Sequence, residues 1–261
     1  MLASLPIILG FFTLLWIFSL WLKDASIVDR FWGLGFLLLY ALRFFDAEFS
    51  TVRGDIVFIL VSIWAIRLSG YIHFRNTGHG EDVRYQKMRH QHGRQFWWKS
   101  WFTVFLLQGT LLWIISAPLL WVLLAPQANH LNWLDAVAIS VWTIGFLFEA
   151  VADFQMARFK ANPSNRAKVC NTGLWGMSRH PNYFGEALIW WAFYLIACST
   201  EHGAATIFSP ILMTVLLLRV SGVSLLERQL SQSKPGYQNY IREVPSFIPT
   251  LWPRRWSRSK R

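Results

Sequence analysis

Asn182 and Glu186 stand four residues apart, directly after Arg179, His180 and Pro181. On a helix that spacing sets an amide and a carboxylate on one face. The run 187–198 that follows is nearly all apolar, so the segment reads as a membrane helix that begins with a row of polar groups. Such groups are costly in hydrocarbon and are functional candidates for that reason. The same four-residue spacing recurs in Arg67 with Tyr71 and in Glu149 with Asp153. Arg219 lies in another apolar run with Glu227 eight residues on, and Asp29 precedes a further one. These residues are expected to line one polar cavity open to the cytoplasm. Its chemistry would suit a phosphate-bearing cofactor. Arg and Lys hold phosphates, while Asn, Asp and Glu bond ribose or amide groups.

The elements that must position these groups are membrane helices. The chain has 261 residues, 54% of them apolar, with 16 Trp and 21 Phe, which points to a polytopic membrane protein. Apolar segments occur at about 4–22, 31–45, 55–74, 101–124, 133–155, 183–199 and 204–226. The expected fold is an all-α membrane protein of about seven transmembrane helices in one domain, 1–261, with cytoplasmic loops covering a cofactor cavity. Pro118 and Pro210 fall inside two of the segments, where a kink is tolerated. The first run has no positive n-region or small-residue cleavage site and reads as a retained helix.

The formal charge of +11 is carried by loops and the C-terminal tail. Segments 75–100 and 156–182 are rich in Lys and Arg, whereas 125–132 and 200–203 carry none. This asymmetry puts the N-terminus outside and the C-terminus in the cytoplasm. It also accounts for the charge without nucleic acid as a partner. The loop 75–89 reads either as a solvated connector, with Glu81, Asp82, Arg84 and Lys87 pairing along its surface, or as an anion lid. No Rossmann fingerprint, P-loop, HExxH or GxSxG occurs, and Gly78-His79-Gly80 lacks a third glycine. His90 and His92 are two apart and do not share a helical face, so no metal site is expected.

The string from Gly173-Leu174-Trp175 through Ser178-Arg179-His180-Pro181-Asn182-Tyr183-Phe184-Gly185-Glu186 resembles the C-terminal signature of the steroid 5-alpha-reductase superfamily, and within it the bacterial DUF1295 branch. Asp29-Arg30-Phe31-Trp32-Gly33, Gly80-Glu81-Asp82-Val83-Arg84-Tyr85, Gly236-Tyr237-Gln238-Asn239-Tyr240 and Pro245-Ser246-Phe247-Ile248-Pro249 carry the same resemblance. It implies a seven-helix reductase of the bacterial inner membrane that binds NADPH from the cytoplasm and delivers hydride to the β-carbon of a steroid- or lipid-like enone. Matched by spacing, the family's cofactor contacts fall on Arg67, Tyr71, Asp153, Asn182, Glu186 and Arg219, with Arg75 and Glu149 where the reductases carry Asn. Lys160, Arg179, His180, Tyr183 and Glu227 complete the candidate cofactor set. The resemblance does not extend to the Gln-Glu pair of steroid reductases, nor to their Tyr at the position of Trp64. Asp29 is then the first candidate for the proton donor, and Tyr40 the next. An Asp29–Arg30 interface anchor is the alternative. Methyltransferases of the isoprenylcysteine or phospholipid type share the RHPxYxGE core, so a reaction using S-adenosylmethionine is the other reading.

Overall fold

The computed structural model describes residues 2–46, 51–78, 80–126, 130–220, Val223, Glu227, Leu230 and 234–250. His79, at the centre of the Gly-His-Gly string, lies outside them. The described residues are helical, with no strand among them. The chain divides into two units. One is Met1–Trp133 with Ile196–Ser209, and the other is Leu134–Leu195 with Pro210–Arg261.

The first unit begins with α1, Leu5–Leu22, an apolar helix stopped where Lys23 turns left-handed at φ 54°. Next come α2, Ile27–Phe45, and α3, Val52–Asn76. Thr51 caps α3 by accepting the Gly54 N–H. Thr51 has the extended backbone and the side-chain oxygen that an N-cap requires. Along their length α2 and α3 are joined by close packing. A Cβ on Gly33 would lie 3.3 Å from the Ala65 carbonyl oxygen. Phe44 stacks on Phe58 with centroids 4.8 Å apart, and Phe36 meets Trp64 edge-on at 5.7 Å.

Asp82 starts α4, Val83–His92, by accepting the Arg84 N–H. Then follow α5, Phe96–Ser100, a π-helical stretch, Trp101–Leu106, and α6, Leu107–Ile115. A bend of 47° separates this run from α7, Ala117–Leu124. The bend falls at Ser116 and Pro118, as a proline that cannot continue the previous turn requires.

The second unit holds most of α8, Trp133–Ala161, of α9, Pro181–Cys198, and of α10, Phe208–Val215. A π-helical stretch, Leu216–Val220, and the short α11, Tyr237–Glu243, follow. Pro181 opens α9, where its missing N–H has no intrahelical partner to lose.

Among the described residues three helices, α1, α3 and α8, are long and apolar enough to cross a membrane, and a fourth span results if the bent run Val83–Ile115 with Ala117–Leu124 is counted as one. They carry large exposed apolar side chains such as Leu14, Ile66 and Leu147, which hydrocarbon accommodates and water does not. The protein is therefore an all-α membrane protein, but its described helices supply three or four candidate spans rather than the seven expected. The expected spans at 31–45 and 183–199 do not qualify, nor does the described part of 204–226, of which 221–222 and 224–226 lie outside the described residues. α2 carries Asp29, Arg30 and Arg43, α9 gives its first two turns to Asn182 and Glu186, and Gly203–Arg219 is a shorter apolar helix.

Within the second unit α8 and α9 meet backbone to backbone at two glycines. A Cβ on Gly185 would lie 2.5 Å from the Gly145 carbonyl oxygen, and one on Gly145 would lie 2.7 Å from the Gly185 oxygen. Gly185→Ala is expected to lower the thermal midpoint of the detergent-solubilised protein, an overpacking cost of about 1–3 kcal/mol or more. Gly10→Ala, where a Cβ meets nothing within 4 Å, is the control and should not lower it. Equal midpoints for both variants would show that the two helices tolerate a wider spacing.

Candidate functional site

The glycine contact decides what faces what. A Cβ at Gly185 would also lie 2.6 Å from the Glu149 nitrogen, so Glu149 sits against the residue that precedes Glu186. One turn further along α8, Asp153 Oδ1 accepts a hydrogen bond from Asn182 Nδ2 at 3.2 Å. Glu186 Oε1 accepts from Trp190 Nε1 at 3.0 Å. Glu149, Asp153 and Glu186 are all buried, at 3%, 4% and 6% exposure, so three carboxylates and an amide share one helix pair. Among the described residues no group of three His, Cys, Asp or Glu could hold a metal ion. The set is rich in acceptors and suits a ligand that presents hydroxyls, amide N–H groups or positive charge. In the same unit Lys160 and Arg219 are exposed cations.

The residues just before α9 do something else. Arg179 Nε donates to Glu227 Oε1 at 2.7 Å, and its Nη1 donates to the carbonyls of Ile241 at 2.7 Å and Val244 at 2.6 Å. His180 Nε2 lies 3.2 Å from the same Glu227 oxygen, and the His180 ring stacks on Tyr183 at 5.5 Å. Ser178 Oγ donates to the Phe247 carbonyl at 2.8 Å and accepts the His180 N–H at 3.1 Å.

The neighbouring turn, Gly173–Gly176, is docked on α8. Trp175 Nε1 donates to the Ala152 carbonyl and the Leu174 N–H to Gln155 Oε1. Tyr240 of α11 donates to the Trp175 carbonyl at 2.6 Å. Arg179, His180 and Glu227, expected among the cofactor contacts, thus tie the start of α9 to the chain around 241–247. Burial alone would push the Glu227 carboxyl up. The hydrogen bonds and charge of His180 and Arg179 outweigh it and hold Glu227 below the usual carboxylate value.

Asp29 anchors a polar cluster in the first unit. Its carboxylate accepts from Tyr85 Oη at 2.7 Å and from Arg84 Nη2 at 2.5 Å, and Gln108 Nε2 donates to Tyr85 Oη at 3.2 Å. Burial pushes the Asp29 carboxyl up, against the opposing charge of Arg84 and the hydrogen bond from Tyr85. Arg30 is not its partner, because that guanidinium reaches Asp24 at 3.2 Å. The Asp29–Arg30 anchor expected as an alternative is replaced by Arg84, which comes from the loop read as a connector or lid. Glu81 from that loop accepts the Ala25 N–H and pairs with Arg89 at 2.8 Å.

Tyr40 is buried on α2 and donates to the Gly54 carbonyl at 2.9 Å, which fixes α2 on the first turn of α3. Near the end of α3, Arg67 and Arg75 lie 5.6 Å and 5.7 Å from the Tyr71 ring centroid, so two cations share one aromatic ring. Arg84 and Tyr85 are not legible in the sequence as partners of Asp29, nor Gln108 as a partner of Tyr85. The one sequence signal for the first two is the acidic-basic string 81–85 itself.

A family model described as a protein of unknown function, DUF1295, matches residues 15–244. The chain belongs to the DUF1295 family. An uncharacterized protein of Schizosaccharomyces pombe is 26% identical to this DUF1295 protein over 97% of its chain and 80% of the yeast protein's length. A protein of Acanthamoeba polyphaga mimivirus named a probable 7-dehydrocholesterol reductase is 30% identical over 42% of this chain and 28% of its own length. The DUF1295 match and the reductase name of the mimivirus protein agree with the resemblance to the steroid 5-alpha-reductase superfamily. No solved structure matches the chain.

The Glu227 carboxylate supplies a pH dependence with a definite sign. Its folded value is depressed, so the stability it contributes is complete above the unfolded value of 4.5 and is lost as pH falls through the lower folded value. Glu227→Gln should lower the thermal midpoint at about pH 6, by removing charge-assisted hydrogen bonds worth about 1.5–3 kcal/mol. It should also flatten the drop in midpoint that the wild type shows toward about pH 3.5. Parallel pH curves for the two proteins would show that Arg179 holds its geometry without that charge.

Proposed function

We propose that this DUF1295 protein is a membrane-embedded, NADPH-dependent reductase of a C=C bond in a steroid- or lipid-like enone. The observation that carries the reading is the row of buried carboxylates Glu149, Asp153 and Glu186 beside the half-buried Asn182, on the two helices joined at Gly145 and Gly185. The reductase name of the mimivirus relative supports the reaction class.

The donor set fits the cofactor in kind. Asp153, Asn182 and Glu186 would hold ribose hydroxyls and the carboxamide, with Glu149 behind them, and Lys160 and Arg219 are cations suited to phosphates. Tyr183 follows Asn182 and stacks its ring on His180. Arg67, Tyr71 and Arg75 are a second cationic set in the first unit, also suited to phosphate. NADPH, when bound, supplies the hydride. Saturating the enone then needs a proton and a partner for the negative charge on the carbonyl oxygen. Asp29 and Tyr85 are the first unit's groups that hold and move a proton, and Gln108 and Arg84 orient them.

One observation favours a second reading. Three buried carboxylates suit the sulfonium of S-adenosylmethionine, which would make the protein a methyltransferase. Binding separates the two. The wild type in detergent is expected to bind NADPH, and Asn182→Ala and Glu186→Ala each to weaken it about 5- to 150-fold. Tight binding of S-adenosylmethionine with none of NADPH would replace the reductase by the methyltransferase. Asp29→Asn and Tyr85→Phe should keep NADPH binding and slow turnover of an enone about 10²-fold or more. Normal turnover in both would remove the cluster from the reaction.

The same reading puts segments 75–99 and 156–182 and the C-terminus on the cytoplasmic side, where the nucleotide is. Cys170 is buried, and burial pushes its thiol up, so it is a poor reporter. Ser164 is exposed, and Ser164→Cys should react with an impermeant maleimide only after the membrane is opened. Labelling in intact cells would reverse the orientation.

A further inference from the structure

Apart from the residues above, the first unit contains a cavity of about 300 Å³. That is the lower end of the range for small-molecule sites. Its walls are Leu20 and Lys23 at the end of α1, Arg89 of α4, and Phe96, Trp97 and Ser100 of α5. The interior is apolar in effect. Ser100 Oγ donates to the Trp97 carbonyl at 2.9 Å, and Ser19 Oγ, also in the wall, to the Trp16 carbonyl at 2.7 Å, so both hydroxyls are occupied by their own helices.

The two cations in the wall differ. Arg89 is held by Glu81 through two hydrogen bonds of 2.9 Å and 2.8 Å and lies 4.5 Å from the Phe96 ring centroid, so its charge is balanced. Lys23 is exposed and makes no ion pair among the described residues. The neighbouring Asp24 does not neutralise it, because its carboxylate is occupied by the Ser26 N–H and by Arg30. One unbalanced positive charge therefore stands at the rim of an apolar chamber.

The surroundings fix where this rim lies. Trp16 stacks on Trp97 at 6.4 Å and meets Trp101 at 5.9 Å, and Lys99 lies 5.7 Å from the Trp98 ring. Tryptophans with lysines at the end of an apolar helix mark the headgroup level of a bilayer. We propose that this cavity takes the hydrocarbon chain of an anionic amphiphile, and that Lys23 pairs with its head. The head is the phosphate of an acidic phospholipid or the carboxylate of a free fatty acid. Either presents one negative charge at the depth where Lys23 stands. The site is distinct from the acceptor row of α8 and α9 and does not depend on the reductase reading.

Native mass spectrometry of the full-length protein tests it, with phosphatidylglycerol, phosphatidylcholine of the same acyl chains, and oleate offered separately. Phosphatidylglycerol or oleate should be retained in preference to phosphatidylcholine. Retention of phosphatidylglycerol but not oleate assigns the head to phosphate, and the reverse assigns it to carboxylate. Lys23→Glu, an exposed change that should leave the thermal midpoint unaltered, should reduce the acidic adduct about tenfold or more. Leu20→Trp, which fills the chamber from its exposed wall, should reduce it without a change of charge. Equal retention of phosphatidylcholine, or an adduct indifferent to Lys23→Glu, overturns the proposal.

Discussion

The second unit depends on one close approach, that of the α8 and α9 backbones at Gly145 and Gly185. Side chains at either position would hold the helices apart. Without them the peptide groups touch, and dispersion over a long contact replaces what a larger side chain would contribute. The consequence is chemical as well as mechanical. Glu149 is pressed against Gly185, and Asp153 comes within hydrogen-bond reach of Asn182. Separating the two helices by the thickness of a methyl group would break the Asn182–Asp153 bond first, because it is already at 3.2 Å.

Arg179 has a different task from the one its charge suggests. A buried guanidinium is costly unless its donors are matched, and here they meet a carboxylate and two backbone carbonyls. The carbonyls come from the end of α11 and the residue after it, so the arginine fastens the first turn of α9 to a distant part of the chain. Pro181 then starts the helix, and Asn182 follows at a fixed place. A motif that acts as a fastening is neutral toward the reaction carried out beside it. That gives a physical reason why an RHPxYxGE core can serve both reductases and methyltransferases.

What could be read from the sequence was local. The four-residue spacings placed Glu149 with Asp153 and Asn182 with Glu186 correctly on helix faces, and Pro118 and Pro181 fell where the chain bends and where a helix starts. Gly185 could be seen in the motif but not its purpose, because its counterpart Gly145 lies in another helix with nothing in its own surroundings to mark it. The Asp29 cluster was hidden for the same reason. Arg84 and Tyr85 are 55 and 56 residues away along the chain, while the adjacent Arg30 offered a plausible but incorrect partner. The span count failed on composition. Apolar runs that end in charged turns look like spans when counted by residue type, yet α2 and α9 place those charges within the helix.

Each unit contains a carboxylate gripped by an arginine and a second ring-bearing donor, and the two differ in where the remaining hydrogen-bond capacity goes. Around Glu227, Arg179 gives two bonds to main-chain carbonyls, which cannot titrate or move, and Tyr240 likewise ends on the Trp175 carbonyl. Around Asp29 the contacts run from side chain to side chain, with Arg84 on Asp29 and Asp82, Tyr85 on Asp29, and Gln108 on Tyr85. Side-chain networks can change protonation state and rotamer without undoing a helix, whereas bonds to the main chain cannot. By that criterion the Glu227 cluster is a fastening, whereas the Asp29 cluster is tied by side chains alone, although both centre on an acid beside an arginine.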